Sequence, residues 1–276
     1  MNYRHAYHAG NHTEILKHAV LVRILTHLRQ KEKPFFVLDT HAGLAVYDLK
    51  SKEARKTSEA GLGIIKVINR ELPSATDYLE FVRSLNVNSG LTLYPGSPTI
   101  ICAFLRGQDR MVACELHPED SLRLQSHFQG DKRVSVYTRD GYAAIRGFVP
   151  PPQRRGLVFI DPPYENRSEF EDLGNALVEA CRRWPTRIYA AWYPVKSRAA
   201  IANFRNSLRA AKIPECLSVE LTLRPANETE LVGGGMILIN PPWQTDTVLR
   251  KLGPEILDAL DAPEGRVSIE WITPPT

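Results

Sequence analysis

Short apolar runs alternate with amphipathic segments along most of the chain. Runs of β-branched and aromatic residues at 35–38, 110–115, 157–160 and 188–193 have the length and composition of buried strands. Residues 13–29 instead carry apolar side chains at intervals of three and four, as a core-facing helix does. Strands and helices that alternate in this order predict a three-layer α/β fold around a mostly parallel sheet.

Two helix starts are marked by capping residues. Asn11, followed three residues later by Glu14, predicts the N-cap of the helix over 13–29. Ser97 and Pro98 predict a second start, with Ser97 as the cap and proline at the first helical position. Further strands are predicted at 133–137, 217–223, 236–240 and 267–272, and further helices at 197–211 and 248–260.

One segment interrupts this alternation. In a plain dinucleotide fold, an acidic residue follows the first glycine-containing loop by about 20 residues. Here that loop is 39–43, and the matching acid, Glu115, comes much later. The excess length carries charged residues and then helical periodicity, so we expect an inserted helical subdomain at 47–92. The main α/β domain would comprise residues 1–46 and 93–276, with residues 1–12 forming an N-terminal arm.

Composition restricts the class of protein only mildly. The 276 residues are 43% apolar and 24% charged, which is ordinary for a globular protein. Lys+Arg 35 against Asp+Glu 31 gives a net charge of +4, with basic runs at 29–33, 50–56 and 154–155. This charge permits a polyanionic partner without requiring one. The four scattered cysteines indicate neither a disulfide framework nor a zinc site, and no signal peptide or membrane-length apolar run is present, so we expect a cytoplasmic protein.

The most specific chemical signal is the turn after the strand at 157–160. Asp161, two prolines and Tyr164 follow it directly, and the prolines end the ladder and stiffen the turn. Such a turn suits methyl transfer to a planar amino group. The Asp161 carboxylate and the Pro162 carbonyl would accept the two N–H bonds of an adenine amine, and Tyr164 would stack on the base. The bland alternative is an ordinary strand-ending turn.

Three other polar groups follow strands of the same predicted sheet. They are the loop that ends at Gly43, the acid Glu115, and the pair Asp140–Gly141. Since parallel strands end at one edge, these groups and Asp161 would meet there, where α/β sheets bind nucleotide-like ligands. Asn240 also begins an Asn-Pro-Pro-Trp turn after a strand. Its short connection from the preceding strand predicts an antiparallel strand, which would place Asn240 at the opposite edge.

The N-terminal arm is rich in histidine and tyrosine. His8 and His12 lie four residues apart, but Gly10–Asn11 between them disfavours a helical metal pair. An aromatic, cationic arm that contacts a nucleic acid and a disordered tail both remain compatible with this composition. We expect no metal.

Together these motifs resemble the RlmJ-type 23S ribosomal RNA adenine-N6 methyltransferases. The similarity covers nearly the whole chain, and its motifs are residues 3–12, 38–43, 94–98, 115–118, 161–165 and 235–243. The resemblance implies a class I, Rossmann-like methyltransferase domain that uses S-adenosyl-L-methionine on one adenine of 23S rRNA. It implies Asp161 at the reacting amine and substrate contact by Tyr3. It further implies cofactor contacts at His18, His41, Ser97, Glu115, Asp140, Gly141 and Asp161.

The expected reaction is direct attack by adenine N6 on the cofactor's methyl group, with the chain acting as a monomer on 23S rRNA. The same turn serves DNA adenine and protein glutamine, so those substrates are the nearest alternatives. A non-catalytic RNA-binding protein on this fold is another. A dehydrogenase is disfavoured because the chain lacks the G-x-G-x-x-G loop.

Overall fold

An eight-stranded sheet forms the centre of the molecule. The computed structural model describes residues 5–87, 90–225 and 230–275. The strands are β1 Phe36–Asp39, β2 Val46–Asp48, β3 Leu93–Pro95, β4 Arg110–Glu115, β5 Val134–Thr138, β6 Gly156–Ile160, β7 Ile188–Val195, β8 Cys216–Thr222, β9 Gly233–Ile239 and β10 Arg266–Thr273. The large sheet has the order β10-β8-β9-β7-β6-β1-β4-β5, and β2 pairs with β3 in a separate ribbon.

Helices cover both faces of this sheet. They are α1 His12–Arg29, α2 Lys52–Thr57, α3 Ile64–Val67, α4 Thr76–Ser84, α5 Ser97–Phe104, α6 Pro118–His127, α7 Gly141–Phe148, α8 Glu169–Arg183, α9 Arg198–Ala210 and α10 Thr245–Ala259. Short 3₁₀ helices occur at His5–Tyr7, Glu59–Leu62 and Pro73–Ala75. The predicted three-layer, mostly parallel α/β fold is therefore confirmed.

The strand β6 shows why the central strands are continuous apolar runs. Leu157 and Phe159 point into a core shared with α1, α5 and α10, whereas Val158 and Ile160 point into a second core shared with α7, α8 and α9. A strand that is buried on both faces needs apolar residues at every position. β1 lies between β4 and β6 and is parallel to both, so the carboxyl ends of β1, β4, β5 and β6 meet at one edge.

The strand β9 runs against this direction. It is antiparallel to both β7 and β8. Asn240 therefore lies at the opposite edge, where its Nδ2 donates to the carbonyls of Pro185 (2.9 Å) and Arg187 (2.7 Å), just before β7 begins. The prediction that strand direction separates Asn240 from Asp161 is confirmed.

The helix α1 is buried more completely than an amphipathic pattern predicts. Every residue from 13 to 22 is buried, including Glu14, Lys17 and His18. The cause is that α1 packs against β9 of the sheet and also against α4, α5 and α10. Its predicted cap is present, since the Asn11 side chain accepts hydrogen bonds from Thr13 N and Glu14 N.

The inserted segment is helical but also contains the β2–β3 ribbon. Its side chains Ile64, Tyr78 and Val82 belong to the same apolar core as Ile15 of α1. The segment thus packs as an outer layer over α1. The division of the chain into a main domain and an inserted subdomain stays a prediction. Within the described ranges, no helix is both long and apolar enough to cross a bilayer.

The N-cap of α1 can be tested by substitution. Asn11 also donates to Glu59 Oε2 (3.0 Å), so its side chain joins α1 to the inserted segment. We expect Asn11→Ala to lower the free energy of unfolding by about 1–2 kcal/mol because both cap bonds are lost. Urea unfolding measures this change. Asn11→Ser keeps a cap acceptor and should recover most of the loss; equal stability of the wild type and the Ala variant would contradict the assignment.

Candidate active site

A cleft opens at the edge where β1, β4, β5 and β6 end. Its volume is about 420 Å³, which is the size of a small-molecule site. The seven residues predicted to contact the cofactor all line it: His18, His41, Ser97, Glu115, Asp140, Gly141 and Asp161. The structure therefore brings together residues that are separated by most of the chain. Their contacts with a cofactor stay a prediction.

The loop after β1 forms the floor of the cleft and is packed closely. Gly43 has φ +59°, and a Cβ there would lie 2.3 Å from the Tyr47 hydroxyl. At Gly141, a Cβ would lie 2.4 Å from the Thr40 carbonyl oxygen and 2.7 Å from His41 Cε1. Neither position accepts a side chain, so backbone lines the cleft there and a ligand can approach it closely.

Two carboxylates are held in place by backbone N–H groups. Glu115, at the end of β4, accepts from Gly43 N (2.8 Å) and His117 N (2.7 Å). Burial raises the pKa of Glu115, while these two hydrogen bonds oppose the increase. Asp140 caps α7 by accepting from Ala143 N (2.7 Å). Both acids are fixed acceptors, and each keeps lone pairs for a ligand's hydroxyl or amino groups.

The predicted role of Ser97 as a helix cap is wrong. The N-cap of α5 is Gly96, and Ser97 is already helical. Its hydroxyl instead donates to Asp39 Oδ2 (2.7 Å) at the end of β1. Asp39 is fully buried, and its Oδ1 has no hydrogen-bond partner among the residues that the structure describes. Burial raises the pKa of Asp39 to about 7, although the hydrogen bond from Ser97 opposes this.

The two predicted histidines are neutral in this environment. His18 shares a hydrogen bond with the Tyr94 hydroxyl (2.8 Å), and its ring stacks on Tyr94 at 5.5 Å. The ring of His41 shares a hydrogen bond with Thr40 Oγ1 (2.8 Å) and meets the edge of Tyr142. Burial lowers the pKa of each histidine to about 4. They supply hydrogen bonds and shape to the cleft without adding positive charge.

A buried lysine holds the carboxylate of the turn. Lys17 Nζ donates to Asp161 Oδ2 (2.5 Å) and also contacts Glu14. Its ammonium lies 5.7 Å from the centre of the Trp192 ring. Burial alone would lower the pKa of Lys17, but Asp161 and Glu14 raise it above its ordinary value. Burial would likewise raise the pKa of Glu14, but Lys17 and His5 hold it well below its usual range.

The N-terminal arm reaches this centre and is well packed where it is described. His5 shares a hydrogen bond with Glu14 Oε2 (3.0 Å) and lines the cleft. Behind it, His8 bonds to Glu59 (2.9 Å) of the inserted segment. His5, Glu14 and Asp161 each offer one atom that could bind a metal ion, and these three atoms lie within 4.8 Å of one another. The Lys17 ammonium already bonds to Glu14 and Asp161, so a side-chain cation occupies the position that a metal ion would take.

The turn after Asp161 continues with Pro162, Pro163 and Tyr164. Pro162 is buried, and Pro163 lines the cleft. Tyr164 has φ +53°, which is unusual for a residue with a side chain. Its hydroxyl donates to the Trp192 carbonyl (3.2 Å), and its ring meets the edges of Phe170 and Trp192. Substrate contact by Pro162 and Tyr164 stays a prediction. Tyr3 lies outside the described residues.

Comparison with known proteins assigns the chain to a family. A family model described as "Ribosomal RNA large subunit methyltransferase D, RlmJ" matches residues 32–273. The chain belongs to the RlmJ family. A Haemophilus influenzae protein named ribosomal RNA large subunit methyltransferase J is 40% identical over 99% of both chains. An Escherichia coli protein of the same name is 39% identical, again over 99% of both.

A solved structure is similar over nearly the whole chain. It is a Legionella pneumophila protein that is 35% identical, with a TM-score of 0.89 and coverage of 96% of this chain and 98% of that one. The RlmJ-type resemblance predicted from the motifs is thus confirmed, and the inserted segment lies within the span that is compared.

Sequence reasoning missed Lys17, Glu14 and His5. One signal was available, because Glu14 and Lys17 are charged residues three apart in a helix whose neighbouring positions are apolar. A charged pair in such a setting is either solvent-exposed or buried with a partner. The partner, Asp161, is 144 residues away, so only the fold could identify it.

The raised pKa of the buried Asp39 predicts that the stability of the folded chain depends on pH. Its carboxyl ionises near pH 4 when unfolded but only near pH 7 in the folded chain, so the wild type loses stability as the pH rises between these values. Asp39→Asn can still accept from Ser97 and avoids this loss. We expect its free energy of unfolding, relative to the wild type, to increase by about 2–4 kcal/mol between pH 4 and 8. Parallel pH profiles in urea unfolding would contradict this.

Removing the buried ammonium of Lys17 should destabilise the folded chain. We expect Lys17→Met to lower the free energy of unfolding at pH 7 by about 3 kcal/mol or more, because Glu14 and Asp161 would lose their shared cation. The loss should shrink as the pH falls below the ordinary pKa of a glutamate, since the stabilisation of ionised Glu14 disappears there. Calorimetric melting measures both effects. Lys17→Arg keeps the charge and is the control; a pH-independent loss would contradict the electrostatic explanation.

Proposed function

We propose that this chain transfers the methyl group of S-adenosyl-L-methionine to N6 of an adenine in 23S rRNA. Membership of the RlmJ family supports the reaction and the substrate class. The observation that carries the proposal is the position of Asp161. It follows β6, lines the same cleft as Glu115 and Asp140, and is held there by Lys17.

The cleft suits a cationic cofactor. S-Adenosylmethionine supplies a methyl group on a positively charged sulfonium, together with ribose hydroxyls and an adenine amino group. Lys17 is the one lysine or arginine among the described lining residues, whereas seven carboxylates line the cleft: Glu115, Asp120, Asp140, Asp161, Glu165, Glu169 and Asp172. Glu115 would accept from the ribose and Asp140 from the adenine amine. Such an acidic site favours a cation over an anion of similar size.

Asp161 would position the amine that reacts. Lys17 occupies Oδ2 of its carboxylate, which leaves Oδ1 to accept an N–H bond from adenine N6. That bond would orient the amine and draw electron density towards its nitrogen. Through its bond to Oδ2, Lys17 would hold the carboxylate in the orientation that the bond to N6 needs. Rate enhancement by these residues rests on orientation and on fixed charge.

The inserted segment would support the same site indirectly. Thr57 bonds to the Tyr7 carbonyl and Glu59 bonds to His8, so the arm that carries His5 is fastened to the insertion. Lys56 also lies over the ring of Tyr7 at 5.7 Å. We expect the insertion to hold the arm beside the cleft. The monomeric state, the absence of a metal and the cytoplasmic location stay predictions.

Substitution of Asp161 tests the proposed reaction. We expect Asp161→Ala and Asp161→Asn each to lower the rate of methyl transfer to deproteinised 23S rRNA by about a hundredfold or more, because both remove the charged acceptor. Transfer from radiolabelled cofactor measures the rate, and calorimetry with S-adenosylhomocysteine checks that cofactor binding survives.

Glu171→Gln, which changes an exposed carboxylate on α8, is the matched control and should leave the rate unchanged. Full activity in the Ala variant would contradict the site. If only the Asn variant retained most activity, Asp161 would orient the amine without accepting its proton. Transfer to DNA but not to RNA would contradict the substrate.

A further inference from the structure

A second groove lies away from the active-site cleft. It has a volume of about 440 Å³ and is enclosed by the second half of α1, the segment around Pro73–Ala75 and the turn after β9. Among the described residues, none lines both this groove and the cleft. Its polar and aromatic lining includes Arg23, Thr26, His27, Trp243 and Gln244.

Trp243 is the prominent feature of this groove. Its side chain is 83% exposed, the highest value among the exposed large apolar residues of the described chain. The turn that carries it is nonetheless rigid, because Asn240 donates to two carbonyls and Thr245 Oγ1 donates to the Pro242 carbonyl (2.6 Å). A large exposed aromatic ring on a fixed turn provides a stacking surface for a planar partner.

The facing wall offers polar atoms that have no partner. Arg23 Nε and Thr26 Oγ1 are both buried, and neither has a hydrogen-bond partner in the part of the chain that the structure describes. Both belong to α1 and both residues line the groove. Buried polar atoms are usually paired. The Arg23 side chain lines the groove and its Nε is not used by the described residues, which favours a ligand that accepts hydrogen bonds from this guanidinium.

Positive charge gathers around the groove. Burial lowers the pKa of His27, and nearby Arg155, Lys31 and Arg23 lower it further. Arg155 also donates to the carbonyls of Lys31 and Lys33. Two basic runs that are far apart in sequence thus converge at this edge of the sheet. Asp77, on the opposite wall, is the carboxylate among the described lining residues.

We infer that this groove binds an unpaired nucleotide of the substrate RNA, with its base on Trp243 and its phosphate at Arg23. The inference rests on the proposed function, since it takes rRNA as the substrate. An aromatic platform beside a cationic wall is the usual arrangement for an unstacked base. Lys17 of the active site and Arg23 are six residues apart in α1, which corresponds to about 9 Å along the helix axis. One RNA molecule can therefore reach both places.

Binding of deproteinised 23S rRNA tests this inference. We expect Trp243→Ala to weaken binding about fivefold or more, as the loss of one stacked base does. Trp243→Phe should restore most of the affinity. Arg23→Gln should weaken binding and reduce the dependence of log affinity on log salt by about 0.7–0.9, whereas Arg23→Lys should keep that dependence. Filter binding between about 50 and 200 mM salt measures all four variants.

Leu62→Ala and Arg123→Gln are matched controls, as an exposed apolar and an exposed basic residue elsewhere. Thermal melting verifies the fold of each variant, and the two controls should bind rRNA as tightly as the wild type does. Normal rRNA binding by folded Trp243→Ala and Arg23→Gln would overturn the inference. So would variants that bind deproteinised rRNA normally but assembled large subunits weakly, because the partner would then be a protein. Failure of the wild type to methylate rRNA would overturn the proposed function instead. The binding comparison would still show whether the groove binds RNA.

Discussion

The arrangement of the active site depends on the bonds of the Lys17 ammonium to Glu14 and Asp161. This ammonium joins Glu14 in the first helix to Asp161 after β6, two groups that would otherwise be buried anions a few ångströms apart. A buried pair of carboxylates without a cation is strongly unfavourable. With Lys17 in place, the helix and the turn share one electrostatic centre. The orientation of Asp161 is then fixed by a bond to α1 as well as by its own prolines.

This contact allows α1 to be buried so thoroughly. Other elements can cover Lys17 because two carboxylates compensate its charge. The β9 strand lies beneath α1, while α4 and α5 pack on its other sides. The insertion contributes α4 and also fastens the N-terminal arm through Glu59. His5 then completes the polar centre from the side of the cleft.

Two candidate sites of different character lie at the two edges of the sheet. At one edge, carboxylates at the ends of parallel strands form an acidic cleft, which suits a cationic methyl donor. At the other, Trp243 and Arg23 line a groove, and Lys31 and Arg155 lie near its His27, which suits the RNA nucleotide that we propose. It is useful that the acidic cleft and the basic residues lie apart, because a sulfonium cofactor is attracted by negative potential and a polyanion by positive potential. The antiparallel direction of β9 produces this arrangement.

The sequence alone determined the fold class and the shared sheet edge of the loop after β1, Glu115, Asp140 and Asp161, whereas His18, His41 and Ser97 were expected there from the family resemblance. Local rules suffice for the former, since strand length and the position of acids after strands are visible in the chain. Asn240 could be separated from Asp161 by strand direction alone. Only the tertiary structure showed that Ser97 bonds to Asp39, that Lys17 bonds to Asp161 and that basic runs meet beside Trp243. Each of these contacts joins residues far apart in sequence, and no local pattern encodes which distant partner a buried polar group will find.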